Sequence, residues 1–489
     1  MTKKRIINYR PMVFGFLAML LSIVIIVECK FNVICLSLLL MFSLFFIFAT
    51  LIKRKWTKYA FVGVCMLLSI ISTSAFGYYI AVNKVSEKPQ SIEGRVCEVN
   101  KDSYVLDEVV VGNKKLGGRL LLKTNNELSV GDIVYSYDNM SNIEFDAKNG
   151  YVASLYDDGI YYLLATNNIA KVRDGKIKLN EKVKLRVKSV YSTYLREDGE
   201  GIALGMLLGD KSAMTSELKE SVSKTGLSHI FAVSGLHIGF LTAIILYINK
   251  KLRIKRLLNM LITITMLILY NVLCGFSPSM VRATIMSVVV LFSRELGYKA
   301  DGLSALGLSG IIIVLFKPYS IFTISFQMSF LAVFGIFAFS KLIHFKRIPK
   351  WANDLIALSL GVNFAIFPLI SYWFKEFAVL FLPVNFIIMP FMSLIYALTV
   401  AFTIVGLIPA FAPIVIAIDY VLIPIKFVTL AVNSLAFNTL NVALTTTGLS
   451  FYLMAEGVLS SQVMLKRKTK IIAVLGLMLV ALLFFLLQL

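Results

Sequence analysis

Apolar runs of about 20 residues recur along this chain from Met12 onwards, and each is long enough to cross a lipid bilayer. Helices that are apolar on every face cannot all be hidden inside one water-soluble fold. Charged residues make up only 16% of the chain, against roughly a quarter in a typical soluble protein. The sequence therefore predicts a polytopic α-helical membrane protein.

We predict about thirteen membrane spans, in two groups that flank one hydrophilic stretch. An N-terminal membrane segment at residues 1–83 holds spans at 12–28, 31–52 and 59–81. Several prolines interrupt the later spans, and broken helices at membrane depth are tolerated only where they face protein or a water-filled cavity. The second group, within residues 201–489, is predicted near 226–248, 257–275, 279–295, 302–316, 320–340, 352–373, 377–406, 410–436, 445–464 and 471–489, with Pro383, Pro390, Pro409, Pro413 and Pro424 as the interruptions.

Short basic clusters separate several of these runs and contribute to a net charge of +21. Short basic loops stay on the cytoplasmic side, so we ascribe most of this charge to membrane topology and place the N-terminus in the cytoplasm. A nucleic-acid footprint is the alternative. The segment from Met1 to Arg5 resembles a signal sequence that is kept as an anchor. The clusters are Lys53, Arg54, Lys55 and Lys58; Lys250, Lys251, Arg253, Lys255 and Arg256; Lys341, Lys346, Arg347 and Lys350; and Lys466, Arg467, Lys468 and Lys470.

The hydrophilic stretch at 84–170 has short alternating runs separated by Gly, Asn and Asp, which is typical of β-strands and turns. Five or so strands in this length favour a small, inserted all-β domain of the OB-fold type, with a hairpin-rich sandwich as the alternative. The parity of the flanking spans places this domain outside the cytoplasm.

Residues 171–200 contain a helical pattern with one apolar face and several lysines and arginines elsewhere. Such a basic amphipathic helix is predicted to lie on the bilayer surface. Guiding an anionic polymer is the second possible use.

The segment from Gly226 to Gly239 places two of the three histidines, two serines and three glycines inside an apolar run. Gly235 and Gly239 have the GxxxG spacing of closely packed helices. His229, Ser234 and His237 either bond to neighbouring helices or line a pathway through the membrane. A serine next to a histidine also allows an intramembrane hydrolase, although no carboxylate lies nearby in sequence to orient the base.

The segment after Cys274 predicts a helix that begins at Pro278, with Ser277 as its N-cap. Arg282 then lies one turn inside that helix, where its charge opposes the helix dipole. An anion such as phosphate would bind both the arginine and the helix terminus. The alternatives are that Arg282 reaches the membrane interface or pairs with a carboxylate.

Two amides in apolar spans, Gln327 and Asn385, are expected to bond to neighbouring helices or to the same pathway. The sequence has no P-loop and too few histidines for a His-rich metal site, so we predict neither a catalytic nor a metal site and no cofactor. The five cysteines show no paired spacing and are predicted to be unpaired.

These segments, in this order and after an extracytoplasmic β-domain, resemble the ComEC family of competence proteins. The similarity covers nearly the whole chain. It lies in residues 144–159, 226–239, 277–286 and 303–333, and in the segment 381–390 around Asn385.

The resemblance implies a multi-pass protein of the bacterial cytoplasmic membrane that carries one strand of incoming DNA during natural transformation. His229, Ser234, His237 and Arg282 would line or support the passage, with Gly235, Gly239, Pro278, Gln327 and Asn385 in the same motifs. The implied partners are single-stranded DNA, membrane lipid, a DNA receptor, a separate nuclease and a cytoplasmic helicase or ATPase; a homo-oligomer is a further expectation. A transporter or scaffold of the same fold for another anion or lipid is the alternative.

Many members of the family continue into a metallo-β-lactamase-like domain with a His-x-His-x-Asp-His motif. This sequence contains no such motif before Leu489. We therefore expect a form without the nuclease domain, whose nuclease activity is supplied by another polypeptide.

Overall fold

The computed structural model describes residues 10–52, 57–86, 88–100, 103–231, 233–345, 347–435, 438–463 and 465–486. Several basic residues used to predict the topology, among them Lys53, Arg54, Lys55 and Lys346, lie outside these ranges, as does the N-terminal segment up to residue 9. The described chain is mostly helical and contains one sheet domain.

Three apolar helices precede the sheet domain: α1 (Pro11–Glu28), α2 (Val33–Ile52) and α3 (Thr57–Val82). The sheet domain consists of β1 (Gln90–Val99), β2 (Tyr104–Val111), β3 (Lys114–Lys115), β4 (Arg119–Lys123), β5 (Asp132–Asp138), β6 (Ser141–Asn142), α4 (Gly150–Asp157), β7 (Ile160–Ala165) and β8 (Ala170–Asp174).

The remainder of the chain is a helical domain. Two of its short strands, β9 and β10, pair with each other in antiparallel fashion. The elements are α5 (Leu179–Tyr194), α6 (Glu197–Leu208), α7 (Ser216–Thr225), α8 (Gly235–Lys251), α9 (Arg256–Cys274), α10 (Pro278–Glu295), α11 (Gly302–Phe316), α12 (Ile324–Ala338), α13 (Lys350–Trp373), β9 (Glu376–Ala378), α14 (Phe381–Gly406), α15 (Ile416–Val421), α16 (Ile423–Asn433), β10 (Thr439–Asn441), α17 (Thr446–Leu459) and α18 (Arg467–Leu486), with 3-10 turns at Pro318–Phe322, Ser340–Leu342 and Pro409–Val415.

Seven helical segments of the described chain are long and apolar enough to cross a membrane, and three further apolar helices are shorter. The molecule is therefore built as a membrane protein, while the number of about thirteen spans stays a prediction. The seven are Pro11–Glu28, Tyr59–Val82, Arg256–Cys274, Ile324–Leu342, Lys350–Trp373, Phe381–Gly406 and Pro409–Asn433.

The predicted span at 226–248 is wrong in its first third. Helix α7 ends at Gly226, which adopts φ +72° as the C-cap, and helix α8 begins only at Gly235. Glycine ends a helix in this way because a residue without a Cβ adopts the left-handed conformation at little cost. The histidine-rich motif therefore lies in a turn and at a helix start, not within one continuous helix.

The prolines of the later spans interrupt the chain less than predicted. Pro383 lies in the first turn of α14 and Pro390 lies inside it, yet the helix is continuous from Phe381 to Gly406. A proline in a first turn removes no helical hydrogen bond. The break occurs instead at Pro409–Val415, where the chain forms a 3-10 turn before α15.

The sheet has the strand order β6-β7-β4-β2-β1-β5-β8, and β3 pairs with β2. All of its pairs are antiparallel except β4 with β7. The parallel pair requires a crossover, and the segment containing α4 supplies it. Leu106, Leu120 and Tyr162 are each at most 2% exposed in the core of this domain. A small β domain is therefore present, and its last strand runs past the predicted boundary at residue 170.

Helix α5 confirms the predicted helical pattern but not the predicted surroundings. Its apolar residues Val187, Val190 and Tyr191 are at most 4% exposed and belong to a core shared with α6 and α14. The hydroxyl groups of Tyr191 and Thr403 lie 2.5 Å apart. The apolar face of α5 thus packs on protein, because neighbouring helices cover the surface that we had assigned to lipid.

A buried ion cluster joins the sheet domain to α5. The Arg95 guanidinium, with a side chain only 4% exposed, donates to Asp107 at 2.6 Å and to both carboxylate oxygens of Glu181 at 2.8 and 3.0 Å. Lys178 also pairs with Asp107 at 2.6 Å. The cluster therefore connects β1 and β2 to the first turn of α5.

The Glu181 carboxylate makes the stability of this junction dependent on pH. Burial alone would raise the pKa of Glu181, but hydrogen bonds from Arg95 and from the Lys178 N–H outweigh it and hold the pKa below its ordinary value. The stabilisation is then complete above the unfolded pKa of about 4.3 and is lost as pH falls through the lower pKa of the folded state. We expect protease resistance of the sheet domain to decline in acid below about pH 4. If the protease resistance of the wild type and of Glu181→Gln fell equally as the pH was lowered, this expectation would be contradicted.

The sheet domain is docked on the helical domain by an aromatic cluster. Tyr319, in the 3-10 turn before α12, stacks on Phe145 with ring centroids 4.4 Å apart and meets Phe76 edge to face at 4.9 Å. The Lys317 ammonium donates to the Asp157 carbonyl at 2.6 Å. Aromatic pairs add about 0.5–1.5 kcal/mol each beyond the area they bury. The end of α11 near Lys317 is thus fixed to the β domain.

Candidate functional site

The turn between α7 and α8 is held by its apolar residues. Leu227, Ile230 and Phe231 are at most 1% exposed, and the Ile230 N–H donates to the Leu227 carbonyl at 2.8 Å. His229 is left exposed, with its Nδ1 3.0 Å from the Gly226 carbonyl oxygen. Burial of the apolar residues on either side therefore leaves His229 on the surface of the turn.

Ser234 and His237 form a capping box at the start of α8. The Leu236 N–H donates to Ser234 Oγ at 3.3 Å, and the Ser234 N–H donates to His237 Nδ1 at 3.1 Å. Because Nδ1 accepts a backbone proton, we assign the proton of the neutral ring to Nε2. That Nε2 atom is buried and has no hydrogen-bond partner among the described residues. The histidine thus shapes the helix start and keeps one donor free.

Gly235 allows Arg282 of α10 to lie directly against the start of α8. A Cβ at position 235 would be 2.5 Å from Arg282 Nη2 and 3.3 Å from the Ala283 Cβ. At position 239 a Cβ would meet nothing within 4 Å. The GxxxG prediction of close packing is therefore right for Gly235 and wrong for Gly239, which faces open space.

Arg282 is 5% exposed, and its described surroundings contain no carboxylate partner. Its Nη1 donates to the Ser329 carbonyl of α12 at 2.9 Å, and its guanidinium carbon lies 6.0 Å from the centre of the Phe330 ring. The Arg282 Nε atom is buried without a partner in the described chain. Both alternatives from the sequence, interface exposure and a carboxylate pair, are therefore wrong.

The start of α10 follows the predicted pattern in part. Pro278 is the first residue of the helix and Ser277 occupies the N-cap position. The Ser277 side chain makes no capping bond, and its Oγ has no partner among the described residues. Ser279 Oγ instead accepts a hydrogen bond from Ser329 Oγ at 2.8 Å. The first turn of α10 is therefore tied to α12 and not capped by Ser277.

Gln327 and Asn385 behave differently. Both polar atoms of the Gln327 side chain have partners: its Oε1 accepts from Trp373 Nε1 at 3.0 Å and its Nε2 donates to the Ile321 carbonyl at 3.0 Å. This is the interhelical bonding expected by default. Asn385 is 8% exposed, in the first turns of α14, and its Oδ1 has no partner within the described residues.

The structure thus brings four of the predicted residues together, Ser234, Gly235, His237 and Arg282, at the paired beginnings of α8 and α10. His229 lies on the turn before them. Two neighbours that the sequence analysis missed are Tyr396, whose ring centre is 5.0 Å from that of His237, and Tyr270, whose hydroxyl accepts from Tyr396 at 3.2 Å. Their only signal was a tyrosine inside an apolar run.

A third missed residue is Glu456 of α17, which is 2% exposed. Neither of its carboxyl oxygens has a hydrogen-bond partner in the described part of the chain. A lone acidic residue inside an otherwise apolar run was the available signal. Among the described residues, no group of three or more His, Cys, Asp or Glu is placed to hold a metal ion.

Comparison with known proteins identifies one matching family and several relatives. The family described as "Competence protein" matches residues 206–488. ComE operon protein 3 of Bacillus subtilis is 30% identical over 212 residues, which cover 43% of this chain and 27% of that protein. An uncharacterized protein of Aquifex aeolicus is 28% identical over 195 residues, covering 40% of this chain and 43% of the relative.

A further relative is an uncharacterized protein of Mycoplasma pneumoniae, 28% identical over 141 residues, or 29% of this chain and 36% of the relative. The matched regions thus make up 27% to 43% of the lengths of these relatives. No solved structure matches this chain.

Proposed function

The chain belongs to the competence protein family, and on that premise we propose that it forms the membrane passage for single-stranded DNA during natural transformation. The family match includes α8, α10, α12 and α14, which carry the candidate site. The observation that carries the proposal is the buried Arg282, which has no carboxylate partner among the described residues and lies against the start of α8.

An anion explains this arrangement better than a neutral ligand. Burying a cation away from water costs several kcal/mol unless an opposite charge accompanies it. The Nε atom of the guanidinium is itself a buried donor without an acceptor among the described residues, and His237 Nε2, in the first turn of α8, is another. The beginnings of α8 and α10 add the positive ends of two helix dipoles. A phosphate group of a passing strand would supply the missing negative charge and acceptor oxygens.

Phosphate contacts of this kind do not distinguish bases, so the passage would be independent of DNA sequence. Transport that reads no sequence suits the uptake of foreign DNA.

We further propose about thirteen spans in the bacterial cytoplasmic membrane, with the N-terminus in the cytoplasm and the β domain outside. Two contacts at opposite ends of α11 support this arrangement. At its start, Arg10 pairs with Asp301 at 2.7 Å; at its end, Lys317 donates to Asp157 of the β domain at 2.6 Å. Fifteen helical residues, about 22 Å, separate these two ends.

The β domain is proposed to be of the OB type and to receive the strand outside the membrane. The strand order with one parallel pair supports a Greek-key arrangement. Tyr135 and Tyr137 of β5 are 39% and 60% exposed, and their spacing places them on one face. Exposed aromatic side chains on a strand are suited to stacking on bases.

The expected partners follow from the same proposal. They are a DNA receptor outside, a separate nuclease that removes the second strand, a cytoplasmic helicase or ATPase that pulls the strand, and a second copy of this chain in a homo-oligomer. The direct test is uptake of labelled single-stranded DNA by cells with and without this gene. Equal uptake in the two strains would disprove the proposal.

Two glycine variants of α8 distinguish an effect on the Arg282 site from a general effect on the helix. We expect Gly235→Ala to reduce transformation by roughly tenfold or more, because the new Cβ would displace the Arg282 guanidinium and weaken a charged contact worth about 1.5–3 kcal/mol. Gly239→Ala, which adds the same methyl group to open space on the same helix, should transform as the wild type does. Transformation frequencies at matched protein levels decide this, and equal loss in both variants would count against the site.

The two alternative functions, a transporter for another anion and an intramembrane hydrolase, make different demands on this site. A transporter for another anion would use the same Arg282 site, and the labelled-DNA experiment separates it from DNA uptake. An intramembrane hydrolase would need a group that orients the histidine. Ser234 Oγ lies 3.2 Å from His237 Nδ1, but no described residue bonds to His237 Nε2. The pair acts as a helix cap, which favours passage over hydrolysis.

A further inference from the structure

A cavity of about 680 Å³ opens where the ends of α8 and α10 meet the beginning of α9. It lies at the opposite end of α8 and α10 from Arg282 and serves no part of the proposed passage. Four basic residues line it, Lys250, Arg253, Arg256 and Arg294, with Glu295 as the only acidic one. The sequence analysis ascribes the charge of Lys250, Arg253 and Arg256 mostly to membrane topology, with a nucleic-acid footprint as the alternative.

Only one of the four basic side chains is neutralised by described residues. Arg256 Nε donates to Glu295 at 2.9 Å, and its Nη2 donates to the Arg294 carbonyl. Lys250, Arg253 and Arg294 are exposed and make no ion pair within the described chain. Three uncompensated positive charges therefore surround one cavity.

One side-chain hydrogen bond and one backbone hydrogen bond hold the walls of the cavity. Asn249 Nδ2 donates to Asn259 Oδ1 at 2.7 Å and so joins α8 to α9, with Asn249 only 5% exposed. The Ile254 N–H donates to the Asn249 carbonyl at 3.0 Å across the turn, and Arg253 has φ +54° there. Helix α9 begins without a side-chain cap, so its first N–H groups are available to an anion.

The rest of the surroundings is apolar. Leu246, Met260 and Leu291 line the cavity beside the charges. Beyond it, Leu257, Leu258 and Leu261 of α9 are 62%, 51% and 50% exposed on a helix that is apolar enough to cross a membrane. Tyr247, at 67% exposure, has the amphipathic ring that is enriched at membrane interfaces.

We propose that this cavity binds the headgroup of an anionic phospholipid, with the acyl chains lying along α9. The three free cations match the phosphate, and the exposed leucines match the chains, so that one molecule satisfies both parts of the surface. A DNA strand or a free phosphate would satisfy only the charges. Basic pockets between the ends of membrane helices bind anionic headgroups in this way. The inference does not depend on the proposed DNA passage.

The test uses the full-length purified chain in a neutral detergent, titrated with phosphatidylglycerol or phosphatidylcholine and monitored by native mass spectrometry. We expect phosphatidylglycerol to bind more tightly than phosphatidylcholine. The triple variant Lys250→Gln, Arg253→Gln, Arg294→Gln should lose roughly 100-fold in affinity for phosphatidylglycerol, at about fivefold for each charge. The matched control is Lys341→Gln, Arg347→Gln, Lys350→Gln, which removes the same charge from another basic cluster and should bind as the wild type does.

Four outcomes of the binding experiment would overturn the proposal. No preference for phosphatidylglycerol, or an equal loss in both triple variants, would reduce the cluster to its topological role. Displacement of the lipid by millimolar inorganic phosphate would make this a site for free phosphate, and displacement by a short single-stranded oligonucleotide would make it part of the DNA path. Loss of DNA uptake with lipid binding intact would concern only the proposed function.

Discussion

Cells that carry Arg282→Gln are expected to transform roughly 10- to 100-fold less often than the wild type while keeping the protein in the membrane. The variant removes the charge that phosphate would contact, and a charge-assisted hydrogen bond is worth about 1.5–3 kcal/mol. Folding should not suffer, because Arg282 is buried without a carboxylate partner among the described residues and its removal leaves no charge behind. Transformation frequency and membrane protein level, measured together, distinguish the two effects.

Two further variants define the role of Arg282. Arg282→Lys keeps the charge but not the planar fork that reaches the Ser329 carbonyl, so partial transformation is expected. Arg347→Gln removes an exposed arginine from a loop and should leave transformation unchanged. If Arg282→Gln is present at normal levels and transforms as the wild type does, the phosphate contact is disproved. If the protein disappears instead, Arg282 stabilises the fold and the site lies elsewhere.

The second large effect concerns stability. Arg95→Ala is expected to destabilise the sheet domain by about 3–5 kcal/mol, because it leaves Asp107 and Glu181 buried without their main partner. The free energy of unfolding decreases by about 1–3 kcal/mol per molar urea. The urea midpoint of unfolding should therefore fall by at least about 1 M. Pulse proteolysis of the purified chain at increasing urea measures this midpoint directly.

The control lies in the same domain. Arg173 pairs with Glu93 at 3.6 Å, and the two side chains are 69% and 44% exposed. Arg173→Ala should therefore cost less than about 1 kcal/mol. Replacing the whole buried cluster, as Arg95→Met with Asp107→Leu and Glu181→Leu, should recover most of the stability because few charges remain buried. An equal midpoint for Arg95→Ala and Arg173→Ala would show that the cluster does not hold the junction.

The elements of this fold were predictable where the signal was local. Helices α9, α10 and α11 begin and end within a residue or two of the predicted spans, because the length of an apolar run and the helix-starting Pro278 are visible in the sequence. The errors fell where tertiary contacts override local pattern. Gly226 ended a helix inside an apolar run, and the apolar face of α5 was covered by protein.

Four residues of the candidate site, Ser234, Gly235, His237 and Arg282, were named from the sequence, but their geometry was not predicted. His237 and Ser234 are three residues apart, so their capping box was within reach of the sequence. The contact of Arg282 with Gly235 joins two different helices, and nothing local distinguishes Gly235 from Gly239. Glu456 was overlooked because a single carboxylate in an apolar run says nothing about whether it is paired.

The sequence by itself determined that this protein belongs in a membrane, carries one small β domain and has the motifs of the competence family. Those properties depend on the length of apolar runs and on residues that are close in the chain. Only the tertiary structure decided that Arg282 is buried without a counter-charge among the described residues and that Gly235 makes room for it at the start of α8. These facts depend on how α8, α10 and α12 pack, and such packing sums many contacts between residues that are far apart in the chain.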